Sequence, residues 1–116
     1  MKNKCFIVLD LGTSSFRASA FSTDLKTISQ TQAKIQPTFN EAKAEYDGKE
    51  VLSSGIKLLD ALMEKLPAGT QPVSIGITSQ RSSFVMWDKN TGEILAPVLS
   101  WQDARATKEI AEAKIS

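Results

Sequence analysis

Asp10-Leu11-Gly12-Thr13-Ser14-Ser15 follows an apolar run with a carboxylate, a glycine and a row of hydroxyls. That set suits phosphate chemistry. Gly12 lets the backbone approach an anion closely, and successive N–H groups in a tight turn form an anion-binding concavity. Thr13 and Ser14 add hydroxyl donors. Asp10 would repel a bare phosphate, but a carboxylate there can hold Mg²⁺, which bridges phosphate oxygens. The same residues also suit a plain turn between strands, with Asp10 bonded to its own turn amides, and residue chemistry alone leaves both readings open. The G-x-x-x-x-G-K-[ST] spacing of a Walker loop is absent.

Two further polar groups could hold a ligand. Gly76-Ile77-Thr78-Ser79-Gln80-Arg81-Ser82-Ser83 follows an apolar segment, the place where open α/β sheets face their ligand crevice. Gln80, Arg81 and Ser82 could hydrogen-bond a polyol or sugar, or the segment could be a surface loop with Arg81 paired to a carboxylate. In Ser100-Trp101-Gln102-Asp103-Ala104-Arg105 the indole offers an apolar face to the C–H side of a sugar. The alternative for Trp101 is core packing, with Asp103 capping a helix. Trp87 reads as core.

Composition narrows the chemistry. There is no histidine, so a histidine base and a Cys/His zinc site are excluded, and Cys5 as the single cysteine cannot form an internal disulfide. Fourteen Lys+Arg against 13 Asp+Glu leave a formal charge of +1, without the basic excess that nucleic acid or an anionic membrane requires. The run Cys5–Leu9 is too short for a signal peptide or a membrane span, which points to a reducing cytoplasm. Carboxylates, hydroxyls, backbone amides and the arginines Arg17, Arg81 and Arg105 remain.

These groups need a scaffold. At 116 residues, 41% hydrophobic and 23% charged, the chain has room for one ordinary domain. Cys5–Leu9 reads as a strand buried on both faces. Phe16, Ala18 and Ala20 alternate with Arg17 and Ser19 as in a half-exposed strand, and the polar stretch from Thr27 to Ile35 suits an edge strand. Short turns make these three an antiparallel meander. The segment ending at Asn40 reads as a loop. Leu52, Ile56, Leu59, Met63 and Leu66 fall on one helical face, with Asp47 and Glu50 as a capping box and Pro67-Ala68-Gly69 as the stop. Gly55 inside this helix costs about 1 kcal/mol relative to Ala, which suits a close crossing over the sheet. Val73–Ile77 then returns parallel to the first strand. Phe84–Trp87 and Ile94-Leu95 flank a hairpin turn at Asp88–Gly92, and Ala104 to Ile115 is a second helix with Asp103 as N-cap. The order β-β-β-α-β, hairpin, α describes a mixed sheet covered by helices.

The three polar segments, in this order and spacing, resemble the amino-terminal part of the FGGY family of carbohydrate kinases. The matching stretches are Phe6–Ala18, Ile75–Arg81, and Val85–Gly92 running on to Ser100–Arg105. The resemblance covers essentially the whole chain. It implies an α/β fold of the ribonuclease-H-like, actin-like ATPase type, a mixed sheet with flanking helices, incomplete in residues 1–116. It also implies ATP and Mg²⁺ as cofactors and a small-molecule sugar or polyol as substrate. By this resemblance Asp10 organises Mg²⁺, while Gly12, Thr13, Ser14 and Arg17 lie at the ATP phosphates. Gln80, Arg81 and Trp101 contact the sugar or polyol. The reaction is transfer of the γ-phosphoryl group to a substrate hydroxyl, driven by positioning and charge neutralisation.

Two departures leave the substrate open. Glycerol kinases follow the arginine of their Gln-Arg pair with a glutamate, where this chain has Ser82. Xylulokinases carry a Met-His pair where this chain has Arg81-Ser82. Members are also several-fold longer, and their general base lies downstream, so no catalytic base is expected within these residues and the isolated chain is expected to be inactive. An open sheet edge beside the Val73 strand predicts self-association, or else a complementary chain carrying further domains. The alternatives are a nucleotide-switch or assembly module on the actin-like fold, or a non-catalytic remnant. Activators of acyl-CoA dehydratases share a similar turn but need cluster cysteines, which Cys5 alone does not supply.

Overall fold

Cys5, Ile7 and Leu9 alternate with Phe6, Val8 and Asp10, and this alternation sets the central strand. In the computed structural model, which describes residues 3–114, β1 (Asn3–Leu11) pairs antiparallel with β2 (Ser15–Ser22) and parallel with β6 (Thr70–Ser79). The strand β3 (Thr27–Lys34) lies outside β2, giving the order β3-β2-β1-β6. The meander and the parallel return are as expected, and so is the edge position of the polar strand.

One sheet face carries the core. Cys5, Ile7 and Leu9 are buried there with Phe16, Ala18 and Ala20 of β2, under Leu58 and Leu62 of α1 (Gly48–Lys65). The small side chains of Ala18 and Ala20 leave room for the helix. A second tie is polar: the buried Thr31 hydroxyl on β3 donates to the Leu58 carbonyl at 2.9 Å. Asp47 caps the helix by accepting from the Lys49 N–H at 2.8 Å. Beyond Lys65 the chain turns through Pro67 to Gly69, whose φ of 82° lies in the left-handed region that favours glycine.

The helix buries only part of the stripe its spacing suggested: Leu59 and Leu66 pack against the core, but the other three members do not. Leu52, Ile56 and Met63 are 63%, 50% and 49% exposed, while Gly55, Leu58 and Leu62 are buried and Val51 and Leu59 pack against them. Both sets are apolar at helical spacing, and the sheet takes the one centred on Leu58. Nor is the crossing at Gly55 especially tight. A Cβ there would lie 3.8 Å from Leu9 Cδ2 and 3.9 Å from Leu11 Cδ2, which is ordinary contact.

A small second sheet replaces the expected loop before the helix. Its strands β4 (Thr38–Asn40), β5 (Lys43–Tyr46) and β7 (Val98–Leu99) run in the order β4-β5-β7. The hairpin between them forms as a turn: Asp88 N–H donates to Glu93 O at 2.8 Å, and Trp87 bridges Ile94. The Asp88 carboxylate accepts from the Thr91 and Asn90 N–H groups, which lowers its pKa below the ordinary aspartate value. Trp87 is not core. It is 58% exposed and, with Ile77, Val85, Ile94, Leu52 and Ile56, lines an apolar trough of about 560 Å³.

The second helix also differs. α2 spans Thr107–Ala113 with Ala106 at its N-cap and no buried residue, because Asp103 is engaged elsewhere; Ile115 lies outside the described residues. Val73, Ile75 and Ile77 of β6 are exposed at the sheet's edge. No helix among the described residues is long and apolar enough to cross a membrane.

Candidate functional site

The site forms where β1 and β6 end. Asp10 is exposed, and its strand neighbours are Arg17 on β2 and Thr78 on β6. Alternation along β1 puts Asp10 on the face opposite α1, so the carboxylate avoids the desolvation that burial would impose. Among the described residues no group of three His, Cys, Asp or Glu side chains could hold a metal. A single exposed carboxylate beside hydroxyls suits Mg²⁺, which keeps several waters and shares its remaining positions with phosphate oxygens.

Immediately after β1 the backbone folds back on itself: Gly12 N–H donates to Ser15 O at 3.1 Å. A Cβ on residue 12 would stand 2.8 Å from that same oxygen, so only glycine fits the close approach. Three carbonyls of this turn are anchored inward. Gln80 Nε2 donates to Gly12 O at 3.2 Å, Tyr46 Oη to Thr13 O at 2.6 Å, and Ile35 N–H to Ser14 O at 3.1 Å. In a trans peptide the next residue's N–H points opposite to the carbonyl. The Thr13 and Ser14 N–H groups are therefore turned away from these anchors, and neither has a backbone acceptor among the described residues.

Across the turn lies a second wall. Thr13, Gln80, Arg81, Ser82 and Trp101 line a cavity of about 570 Å³. Arg81 is exposed and makes no ion pair among the described residues, against the surface-loop alternative in which a carboxylate holds it. Ser82, in the left-handed region at φ 60°, marks the sharp turn that lifts this segment off β6. Trp101 is 54% exposed, and its indole Nε1 donates to Thr13 Oγ1 at 2.9 Å. Its backbone N–H donates to Ser83 Oγ at 2.9 Å, and that hydroxyl donates to Gln80 Oε1 at 2.9 Å. Gln80 lines the cavity, yet its amide faces inward, on Gly12, Tyr46 and Ser83.

The loop that carries Trp101 is stitched to β5 by charge. Asp103 accepts from the Ala44 N–H at 2.8 Å and from Arg105 Nε at 2.9 Å, and Arg105 also pairs with Glu45. Asp103 is therefore a cross-link to β5, and it does not cap α2. Arg105, followed by the Ala44 N–H, holds the Asp103 carboxyl well below the usual carboxylate range, and Asp103 with Glu45 raises Arg105 above its ordinary value.

Asp10, Gly12, Thr13, Arg81 and Trp101 thus converge on one end of the sheet, with Arg17 beside Asp10 on the next strand. Tyr46 was not anticipated. The available signal was a lone tyrosine at the second inward position of Ala44-Glu45-Tyr46, since a buried phenol needs a partner for its hydroxyl.

The profile of the FGGY family of carbohydrate kinases, N-terminal domain, matches residues 5–115. The chain belongs to this family. Glycerol kinase 1 of Pseudomonas aeruginosa is 32% identical over 110 residues, which cover 93% of this chain and 22% of that protein. Among solved structures, gluconate kinase from Lactobacillus acidophilus superposes with a TM-score of 0.86 at 20% identity, covering 97% of this chain and 22% of that one. Plasmodium falciparum glycerol kinase, solved with ADP, gives a TM-score of 0.85 at 22% identity over 95% of this chain and 22% of that one. The FGGY chain therefore has the ribonuclease-H-like α/β fold expected of it and spans about a fifth of the length of the relatives it matches.

Proposed function

We propose that residues 1–116 form the amino-terminal portion of the first actin-like domain of an ATP-dependent carbohydrate kinase, which transfers the γ-phosphoryl group of ATP to a hydroxyl of a sugar or polyol. The observation that carries this is the inward anchoring of the Gly12, Thr13 and Ser14 carbonyls, because it directs consecutive N–H groups outward as a phosphate cradle. Asp10 would hold Mg²⁺ through an exposed carboxylate, and Arg17 on the neighbouring strand adds positive charge beside it. Bound Mg²⁺ neutralises charge on the transferred phosphoryl group. Arg81 and Trp101 supply the donors and the apolar face for the substrate.

A phosphoryl-transfer site built between two domains needs both, so the chain by itself is expected to give no ADP release from ATP with any sugar or polyol. Turnover above background would overturn that expectation. Phosphate binding is tested directly by titrating the ¹⁵N-labelled chain with Mg²⁺ and inorganic pyrophosphate. The Thr13 and Ser14 amide signals should move, and Asp10→Asn should remove the Mg²⁺ dependence. Unmoved amides at the solubility limit would count against the kinase reading.

Self-association is supported by the uncovered edge of β6, where Ser74–Ser79 runs regularly beside β1 beyond an irregularity at Pro72. Light scattering is expected to show concentration-dependent dimers, and a strict monomer would exclude them. We place the chain in the cytoplasm as the default for a sequence whose one cysteine, Cys5, has no internal disulfide partner.

A further inference from the structure

The hydrogen bonds around the turn close into a ring. Starting at Thr13, the carbonyl accepts from Tyr46 Oη at 2.6 Å, and Tyr46 Oη accepts from Gln80 Nε2 at 3.2 Å. Gln80 Oε1 accepts from Ser83 Oγ at 2.9 Å, and Ser83 Oγ accepts from the Trp101 N–H at 2.9 Å. The Trp101 indole then returns to Thr13 Oγ1 at 2.9 Å. The phosphate turn, the end of β6 and the Trp101 loop meet in this ring, and its innermost member is Tyr46, only 5% exposed.

We propose that Tyr46 is a positioning residue that makes the phosphate turn and the substrate wall bind as one unit. The inference rests on the phosphate reading of the turn given above. Tyr46 touches neither ligand directly. Its single hydroxyl proton fixes the Thr13 carbonyl, and through the trans peptide that bond sets the direction of the Ser14 N–H. Its oxygen lone pair holds the Gln80 amide, whose other end seats Ser83 and therefore the backbone of Trp101. Without the phenol oxygen, Gln80 Nε2 keeps only Gly12 O, and the Thr13 carbonyl loses its tie to β5 and, through it, to Gln80. A neutral hydrogen bond of this kind contributes about 0.5–1.5 kcal/mol, so its loss should weaken anion binding roughly 2- to 10-fold.

The experiment uses the full chain and Mg²⁺ with inorganic pyrophosphate, followed by NMR at the Thr13 and Ser14 amides and at the Trp101 indole N–H. Tyr46→Phe keeps the ring volume and so the β5 packing. Thr31→Val is the control, because it removes a buried hydroxyl bond between β3 and α1 far from the turn. In the wild type the amides and the indole should titrate with one midpoint. Tyr46→Phe should weaken binding about 2- to 10-fold and separate the indole response from the amides, while Thr31→Val loses stability but binds as the wild type does. If the wild-type amides do not respond, the phosphate reading itself fails. If they respond but Tyr46→Phe binds equally well, the phosphate reading stands and the role given to Tyr46 is overturned. Equal weakening in both variants would overturn it too, since that marks general loosening.

Discussion

The two halves of the chain are built differently. Every buried apolar side chain described lies between Cys5 and Leu62, whereas from Thr70 to Ala113 only Ser100 is buried. The second half is not polar: Val73, Ile75, Ile77, Phe84, Met86, Trp87 and Trp101 are all about half exposed or more. It is held by the backbone ladder of β6 on β1, and by links such as Ser100 N–H to Ala44 O at 3.0 Å and Asp103 to the Ala44 N–H at 2.8 Å. One wall of the site therefore stands on a packed core, and the other hangs on hydrogen bonds and an ion-pair cluster. The contrast locates where each wall is vulnerable.

The contrast breaks most sharply under core truncation. Leu62→Ala should destabilise the chain by about 2–5 kcal/mol in urea unfolding, since Leu62 is fully buried between the helix and the sheet. A loss below 1 kcal/mol would mean that the first half is less packed than its burial shows. Acid should act on the other wall. The Asp103 carboxyl is depressed in the folded chain by Arg105 and the Ala44 N–H. Its contribution is therefore complete above the unfolded carboxylate value of about 3.9 and is lost as pH falls below that toward the lower folded value. The Trp101 indole signal should change in that range, and Asp103→Asn should produce the same change at neutral pH. An indole signal indifferent to both would remove Asp103 as an anchor.

A gain is expected where the core has room. Gly55→Ala places a methyl at ordinary contact distance from Leu9 and Leu11 and should stabilise by about 1 kcal/mol, read as a higher urea midpoint. Destabilisation would show that the helix cannot accept even that contact. The smallest effect belongs to the bare half. Ile77→Thr, 67% exposed on β6, should shift stability by no more than about 0.5 kcal/mol while weakening any dimer seen in light scattering. A larger loss would reveal packing around β6 in the monomer.

Much of this organisation was legible in the residues. The strands β1 to β3, the helix with Asp47 at its cap, the parallel return and the polar segments at one end of the sheet all followed from alternation, helical spacing and turn chemistry. The buried stripe of α1 followed only at Leu59 and Leu66, because Leu52, Ile56 and Met63 are as apolar as Val51, Leu58 and Leu62, and only tertiary contact chooses between them. Trp87 was misplaced for a related reason: hydrophobic character says that a side chain seeks cover, not that the chain provides it. The strands β4, β5 and β7 are too short and mixed to show a period. Within the site, Asp10, Gly12, Thr13, Arg81 and Trp101 could be named from residue type, but the inward turn of Gln80 and the part played by Tyr46 depend on hydrogen bonds between positions 33 and 68 residues apart.

The strand β1 serves two masters on opposite faces. Cys5, Ile7 and Leu9 point into the core, and Asp10 stands on the other side at the strand's end. Because side chains alternate with a period of two, substitutions along β1 act one face at a time, whereas a change in its length acts on both. Deleting a single residue between Phe6 and Leu9 would either turn Asp10 toward the helix or push the apolar residues out, with β2 and β6 displaced on either side. The segment should therefore accept a range of apolar replacements among related chains and yet keep its spacing to Gly12, with insertions and deletions confined to places such as the Asp24 turn and the Asp88–Gly92 turn.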